Sequence, residues 1–284
     1  MPTIATPYAP GGAGANWVNE EWLNELDIEA AERAKVYPLI RNEKAGHKKL
    51  HVPQRAMPSV TTAAETLDFT EGMTFTGATE TEKTITPATV YIAEAINDNQ
   101  IDRMAFDPRD DMKQTYVLAV GQKVDQDVCS LFTSLTTNIA GSYASDLDQS
   151  TVLYAQALVE EGGKMYAEDG QIYFAYHHRQ GDNIRSITPF ISAEVRGSNR
   201  SNAVTGKVDD VFGLKFIKTG NIRNSGGGFN NACFIKQFAA IFFNKKPTPE
   251  AQRRGAGWQL FITADYGYNT IRDGYAALVK SKNT

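Results

Sequence analysis

The stretch DPRDDMKQTYVLAVGQKVDQDVCSLFTSLTTN, residues 107–138, decides how the chain is read. Asp107 suits a helix N-cap, and Pro108 suits the first helical position, where a missing N–H costs nothing. Asp110 and Asp111 follow, where carboxylates favour the positive end of the helix dipole. Val117, Val120, Val124, Val128, Leu131 and Leu135 then recur in steps of three and four, the period of one helix face. No proline interrupts the run from Arg109 to Asn138. The expectation is a helix of about 30 residues, roughly 45 Å long at 1.5 Å per residue, well beyond the usual globular length.

On its N-terminal side the chain changes character three times. The first sixteen residues are rich in Pro, Gly and Ala and read as an unstructured tail, with no basic segment and apolar run of a secretory signal. A helix is expected from about Asn19, with Trp22, Leu23, Leu26 and Ala30 on one face and Pro38 ending the pattern. From Arg33 to Arg55 seven basic residues (Arg33, Lys35, Arg41, Lys44, Lys48, Lys49 and Arg55) face Glu43 alone, a net of +6. From Ser59 to Thr89 the sign reverses: Glu65, Asp68, Glu71, Glu80 and Glu82 stand against Lys83, a net of -4. Eleven threonines lie between Thr61 and Thr89, and Phe69 to Phe75 and Thr89 to Ala93 alternate polar with apolar, the strand period. Large aliphatic residues are scarce between positions 59 and 84. The segment reads as a long twisted hairpin that cannot bury its own surface and needs a partner.

On the C-terminal side, helix and strand signals alternate. Thr151 to Glu161 reads as a helix ending at Gly162-Gly163, Gln171 to His178 as a strand, Pro189 to Val195 as the start of another helix, and Gly213 to Ile217 as a short strand. Gly226-Gly227-Gly228 reads as glycines of a mobile loop. Ala232 to Phe243 is strongly apolar, either strand or buried helix, with Lys245-Lys246-Pro247 breaking it. Trp258 to Tyr268 reads as a long strand and Ala276 to Val279 as a final short one.

Composition bounds the function. Of 284 residues, 42% are hydrophobic and 22% charged, so the chain folds rather than staying disordered. The net charge of -4 disfavours intimate DNA binding. Cys129 and Cys233 are too few for a disulfide framework and fit a reducing cytosol. Phe238 to Phe243, the most apolar short run, is much too short to span a bilayer. Catalytic signals are thin. His47, His51, His177 and His178 form no zinc pattern, and adjacent His177 and His178 on one strand would point to opposite faces. There is no G-x-S-x-G elbow. Cys129, between Val128 and Ser130 in the long helix, reads as a packed residue rather than a nucleophile. The triple glycine lacks the phosphate-loop ending. Lys245-Lys246 and Arg253-Arg254 read as solvated charges. The Asp107, Asp110 and Asp111 cluster is explained by capping without a metal. The reading therefore carries no catalytic residue, cofactor or metal.

The order of parts (basic arm, acidic Thr-rich hairpin, long capped helix, α/β region) resembles the Hong Kong 97-type major capsid protein of tailed bacteriophages over nearly the whole chain. Phe234 to Ile241 and Trp258 to Ile262 are similar to that family's late strands. Tyr266-Gly267 followed by Ile271 to Val279 is similar to its closing segment, with Asp273 where proline is common. The resemblance implies an α+β fold with an N-terminal arm (residues 1–46), an extended β-hairpin loop (47–97), a peripheral domain with the long spine helix (98–140 and 244–270) and an α/β axial domain (141–243 and 271–284). It implies self-assembly through hexamers and pentamers into an icosahedral shell around double-stranded DNA, in a virion assembled in the host bacterial cytoplasm. The implied partners are the chain itself, a separate scaffolding protein, a portal and a decoration protein. DNA would be touched only by non-specific proximity, and no membrane would be involved.

Lys48, Lys49, Glu71, Glu80, Glu82 and Lys83 are the candidate contacts between subunits, because the arm and hairpin carry opposite charge and reach outward. Pairing within one subunit, or charges that only keep exposed segments soluble, are the plainer readings. Lys83, the only lysine between residues 50 and 112, is also the candidate to crosslink to a neighbouring Asn as in some members of the family; a solvated surface lysine is the alternative. An encapsulin-type compartment shell, an enzyme with an unrecognised site and a DNA-binding module are the competing functions.

Overall fold

A computed structural model of the chain describes residues 33–43, 49–56, 80–101, 108–168, 170–187, 212–225 and 227–283. The expected N-terminal helix, the helix from Pro189, the cap at Asp107 and most of the Thr-rich segment lie outside the described residues. Strand β1 spans Arg41–Glu43, β2 Leu50–Arg55, β3 Glu80–Ile85 and β4 Ala88–Asn97. A short helix α1 (Asp98–Ile101) precedes the long helix α2 (Pro108–Ser130). After β5 (Ile139–Gly141) come α3 (Gln149–Gly163), β6 (Ile172–His177), α4 (Gly181–Ser186) and β7 (Leu214–Thr219). Five strands close the chain: β8 (Asn224–Ser225), β9 (Gly228–Ile235), β10 (Ala239–Arg253), β11 (Gly257–Thr270) and β12 (Ala276–Lys282).

Helix α2 starts at Pro108 as its sequence dictates, but it runs for 23 residues, about 35 Å, rather than the expected 30 or so. Hydroxyl side chains end it. Ser130 Oγ donates to Asp127 O (2.6 Å), Thr133 Oγ1 to Ser130 O (2.7 Å) and Ser134 Oγ to Leu131 O (2.7 Å). Such local bonds compete with the helical ladder. The chain tightens into a 3-10 turn at Leu131–Ser134 and turns extended at Leu135. The buried stripe is Tyr116, Val120, Val124, Val128 and Phe132. Val117 was expected on it and is instead 41% exposed, because four residues before Val120 the helix face belongs to Tyr116.

The strands form a four-stranded sheet in the order β1-β10-β11-β4, a second sheet in the order β5-β12-β9-β6-β7 with β8 on β9, and the two-stranded ribbon β2-β3. Helix α2 covers one face of the first sheet, where Leu260, Ile262, Ala264 and Tyr266 join Val124 and Val128 in one core. Phe261 has the opposite parity on β11 and stays outside that core. Helix α3 covers the second sheet through Val152, Ala155 and Val159. Asp148 caps α3 by accepting from Thr151 N (2.9 Å). The helix ends at Gly163, with Lys164 taking the positive φ of 47°.

The apolar run from Ala232 to Phe243 is two strands joined by a 3-10 turn at Lys236–Phe238. Both strands are buried on both faces there. Ala232 and Phe234 enter the core under α2, and Cys233 and Ile235 the core under α3. A strand buried on both faces loses its alternation, which is why period alone could not separate strand from helix. Lys245-Lys246-Pro247 does not break β10. Past Phe242, β11 is the one ladder partner of β10 among the described residues, with register shifts between Phe243 and Thr248, so Pro247 and Pro249 sit on an edge where no donor is needed. Ala88–Asn97 pairs along its whole length with β11, and the strand from Ala239 belongs to the first sheet.

The end of α2 joins the two sheets. Phe132, Phe234 and Phe238 are fully buried and contact one another, with ring centroids 5.0–6.0 Å apart. Phe132→Ala is expected to destabilise the chain by about 3–5 kcal/mol, read as a lower urea midpoint; a midpoint within error of wild type would show that this node is not structural.

Candidate assembly surfaces

The ribbon β2-β3 carries the charged residues picked from sequence. Lys48 and Glu71 lie outside the described residues. Lys49, Glu80, Glu82 and Lys83 are described, and all four are exposed. Register places Leu50 opposite Ile85, Val52 opposite Lys83, Pro53 opposite Glu82 and Arg55 opposite Glu80. The basic and acidic blocks therefore meet in one ribbon. His51 Nδ1 lies 3.4 Å from Glu82 Oε1, and Thr84 Oγ1 lies 3.2 Å from the same nitrogen. Lys49 and Glu80, however, sit at opposite ends of the paired strands, about 20 Å apart at 3.3 Å per residue. Those two cannot pair within one chain.

The ribbon is rooted in the body along β2. Val52 and Ile85 are buried with Ala240, Phe242 and Ile271, and Leu50 packs beside them. This is the face of the first sheet opposite α2. Asn269 Nδ2 donates to Thr84 O (3.0 Å), the Gln54 side-chain amide donates to Ile271 O, and Arg272 donates to Arg55 O (3.4 Å). Gly267 makes the docking possible: a Cβ there would stand 2.7 Å from the Phe242 ring and 3.0 Å from both Ile85 Cγ2 and Thr86 O. From Glu80 to Lys83 the ribbon is exposed.

Two carboxylates that sequence reading passed over tie distant segments together. Asp125 is fully buried in α2. Its Oδ1 accepts from Val36 N (2.8 Å) and Tyr37 N (2.9 Å), and its Oδ2 from Asn221 Nδ2 (2.7 Å). A signal existed, since Asp125 stands three residues before Val128 and so on the apolar stripe, where an aspartate needs partners. Asp273 Oδ2 accepts from Thr136 N (3.2 Å), Thr136 Oγ1 (3.3 Å), Thr137 N (2.8 Å) and the Thr137 hydroxyl. Burial alone would raise its pKa, but these hydrogen bonds outweigh burial and hold it below the usual carboxylate value. A proline at this position could not make this clamp. A third carboxylate, Asp127, accepts from the Tyr266 hydroxyl at 2.6 Å.

The groups weighed for chemistry are engaged otherwise. Cys129 and Cys233 are buried, and burial pushes both thiols well above their ordinary pKa, away from nucleophilic use. His177 and His178 do not share a strand as expected. The strand ends at His177, whose ring stacks on Phe229 at 4.0 Å, and His178 opens a 3-10 turn. Gly228 is no loop residue either: it is buried in β9, where a Cβ would collide with Ser281 O and Tyr143. Among the described residues no three His, Cys, Asp or Glu side chains are placed to hold a metal, and no helix is long and apolar enough to cross a membrane. Large apolar side chains are exposed at Tyr91 on β4, at Ile139 on β5 and in two groups. On α3 and the turn after it these are Leu153, Tyr154, Met165 and Tyr166; on α2 they are Val117 and Leu118.

No protein-family model matches the chain, and no curated protein is similar to it in sequence. Solved structures are similar over nearly the whole length. A chain from Mycobacterium phage Che8 is 15% identical, with a TM-score of 0.76 over 93% of this chain and 97% of that one. A chain of the cyanophage P-SCSP1u capsid is 13% identical, with a TM-score of 0.72 over 100% of both. One from the mature capsid of bacteriophage PhiM1 is 10% identical, with a TM-score of 0.71 over 99% of both. The fold of this α+β chain is that of these phage capsid chains.

The ribbon root and the Asp273 clamp can each be tested. Gly267→Val should overpack the root, cost about 1–3 kcal/mol, and speed tryptic cleavage at Arg55 and Lys83 while the helical circular dichroism signal stays. Unchanged cleavage would mean the ribbon is not held there. Asp273→Asn should cost about 1 kcal/mol near neutral pH. A lowered native pKa stabilises above the unfolded value of about 3.9 and is lost as pH falls through the lower native value. The gap between wild type and Asp273→Asn should therefore close as the pH falls below about 4; a gap constant down to the acid limit would refute the charge-based clamp.

Proposed function

We propose that the chain is the major capsid protein of a tailed bacteriophage, a structural subunit of Hong Kong 97 type that assembles through hexamers and pentamers into an icosahedral shell around double-stranded DNA. The observation that supports this most is the end-to-end similarity to capsid chains, over 99–100% of this chain and of theirs. An encapsulin-type compartment is not favoured, since the similar structures described above are of phage origin.

In this reading residues 33–43 end the N-terminal arm and the ribbon β2-β3 is the stem of the extended loop. Helix α2 is the spine of a peripheral domain built on the first sheet, and α3 with the second sheet forms the axial domain. A scaffolding protein, a portal and a decoration protein are the expected partners besides the chain itself, and the virion its final location. The exposed apolar residues of α3 and the exposed end of the ribbon support a subunit that completes its burial against neighbours.

Electron microscopy of the purified protein tests the function. Shells, rings or capsomers are expected; a compact monomer at every concentration, with scaffold and portal supplied, would reject it. Charge tests the ribbon. Glu80→Lys with Glu82→Lys is expected to lower assembly yield, and Lys48→Glu with Lys49→Glu to restore part of it. Exposed pairs contribute only about 0–1 kcal/mol each, but repeated contacts bias register. Yields indifferent to salt and to both reversals would leave these charges a role in solubility alone.

A further inference from the structure

Beside the middle of α2 lies a cavity of about 490 Å³, lined among the described residues by Tyr37, Gly121, Val124, Phe243, Lys246 and Pro247. Its floor is unusual for a helix. Gly121 occupies a mid-helix position where alanine would be favoured, and a Cβ there would meet nothing within 4 Å. The glycine relieves no clash; it leaves space open. Val117, one turn before Gly121, is 41% exposed, and Leu118 is 42% exposed, so an apolar stripe on the outer side of α2 leads into the cavity. Lys246 borders the cavity. Glu43 also lines it, but that carboxylate is paired with Arg41, which leaves the lysine as the local charge.

The chain itself contains a segment of matching chemistry. Thirty-two residues precede Arg33, and Tyr37, four residues further on, already lines the cavity. Those thirty-two residues hold Glu20, Glu21, Glu25, Asp27, Glu29 and Glu32 and no Lys or Arg, a net of -6. The sequence period from Asn19 sets Trp22, Leu23, Leu26 and Ala30 on one side. Twelve helical residues span about 18 Å, so such a segment entering at Arg33 reaches the length of the stripe from Gly121 to Val117.

We propose that residues 17–32 dock in cis on the outer side of α2, with Trp22, Leu23 and Leu26 covering Val117, Leu118 and the space over Gly121, and their carboxylates beside Lys246. The groove is then the seat of the chain's own N-terminal segment. This goes beyond the assembly function and does not depend on it, because it holds for a single chain.

The test uses the full chain, unassembled. Leu26→Cys is combined with Gly121→Cys, or with Ser150→Cys on α3 as control, and treated with a short bismaleimide; mixing isotope-labelled with unlabelled chains separates links within a chain from links between chains. Native Cys129 and Cys233 are buried and do not compete. A link from position 26 to 121 within one chain, absent from the control pair, is expected. A link between chains only, equal linking to both sites, or none to position 121 would overturn the proposal. A second readout needs no new cysteine. Chymotrypsin can cut at Trp17, Trp22 and Leu26, and Gly121→Glu, which sets a carboxylate against the acidic segment, should speed that cleavage about tenfold. Gly121→Ala should leave it unchanged. Equal rates for Gly121→Glu and Gly121→Ala would also overturn it.

Discussion

Three phenylalanines hold the two halves of this subunit together. Phe132 comes from the turn that ends α2, Phe234 from the centre of the second sheet, and Phe238 from the turn that leads into the first sheet. All three are inaccessible to water and their rings meet at 5.0–6.0 Å. Tyr173 extends the contact into β6, 5.7 Å from Phe234. Aromatic burial of this size dominates local energetics. Because β9, the 3-10 turn and β10 follow one another directly, the node fixes the angle at which one sheet leaves the other. Everything further out, including the ribbon and the arm, inherits its position from that angle.

Polar contacts add precision to this apolar frame rather than bulk stability. Asp125 gathers the backbone of residues 36 and 37, the middle of α2 and the loop after β7 on one carboxylate. Asp273 does the same for the segment after α2 and the turn before β12. A buried carboxylate is costly unless its oxygens are satisfied, so each such site tolerates one arrangement of its donors and resists sliding.

Surface completes the picture. The ribbon is anchored along β2 by Val52, Gln54 and Arg55 and exposed along β3 from Glu80 to Lys83. Helix α3 buries one side on its sheet and shows Leu153 and Tyr154 on the other. Neither arrangement is economical for an isolated monomer, since large exposed side chains gain nothing from solvent. Both are consistent with the assembly proposed above.

Much of the fold was legible in the chain itself, and the reason is locality. The start of α2 at Pro108, the strand near Trp258 and the helix end near Gly163 are set by residues within a few positions of one another, and caps, periods and turns are local. Charge blocks and the lack of catalytic patterns are likewise written in composition. What the chain alone could not decide is everything that depends on which neighbour a strand or helix meets. The run from Ala232 to Phe243 becomes two strands because both of its faces are covered. Pro247 is tolerated because β10 is an edge there. Phe261 faces away from α2, and Ala88–Asn97 pairs with β11, because register across a ladder is set by long-range partners. Asp125 is a ligand of backbone amides 88 and 89 residues away in sequence, a distance at which no local pattern carries information.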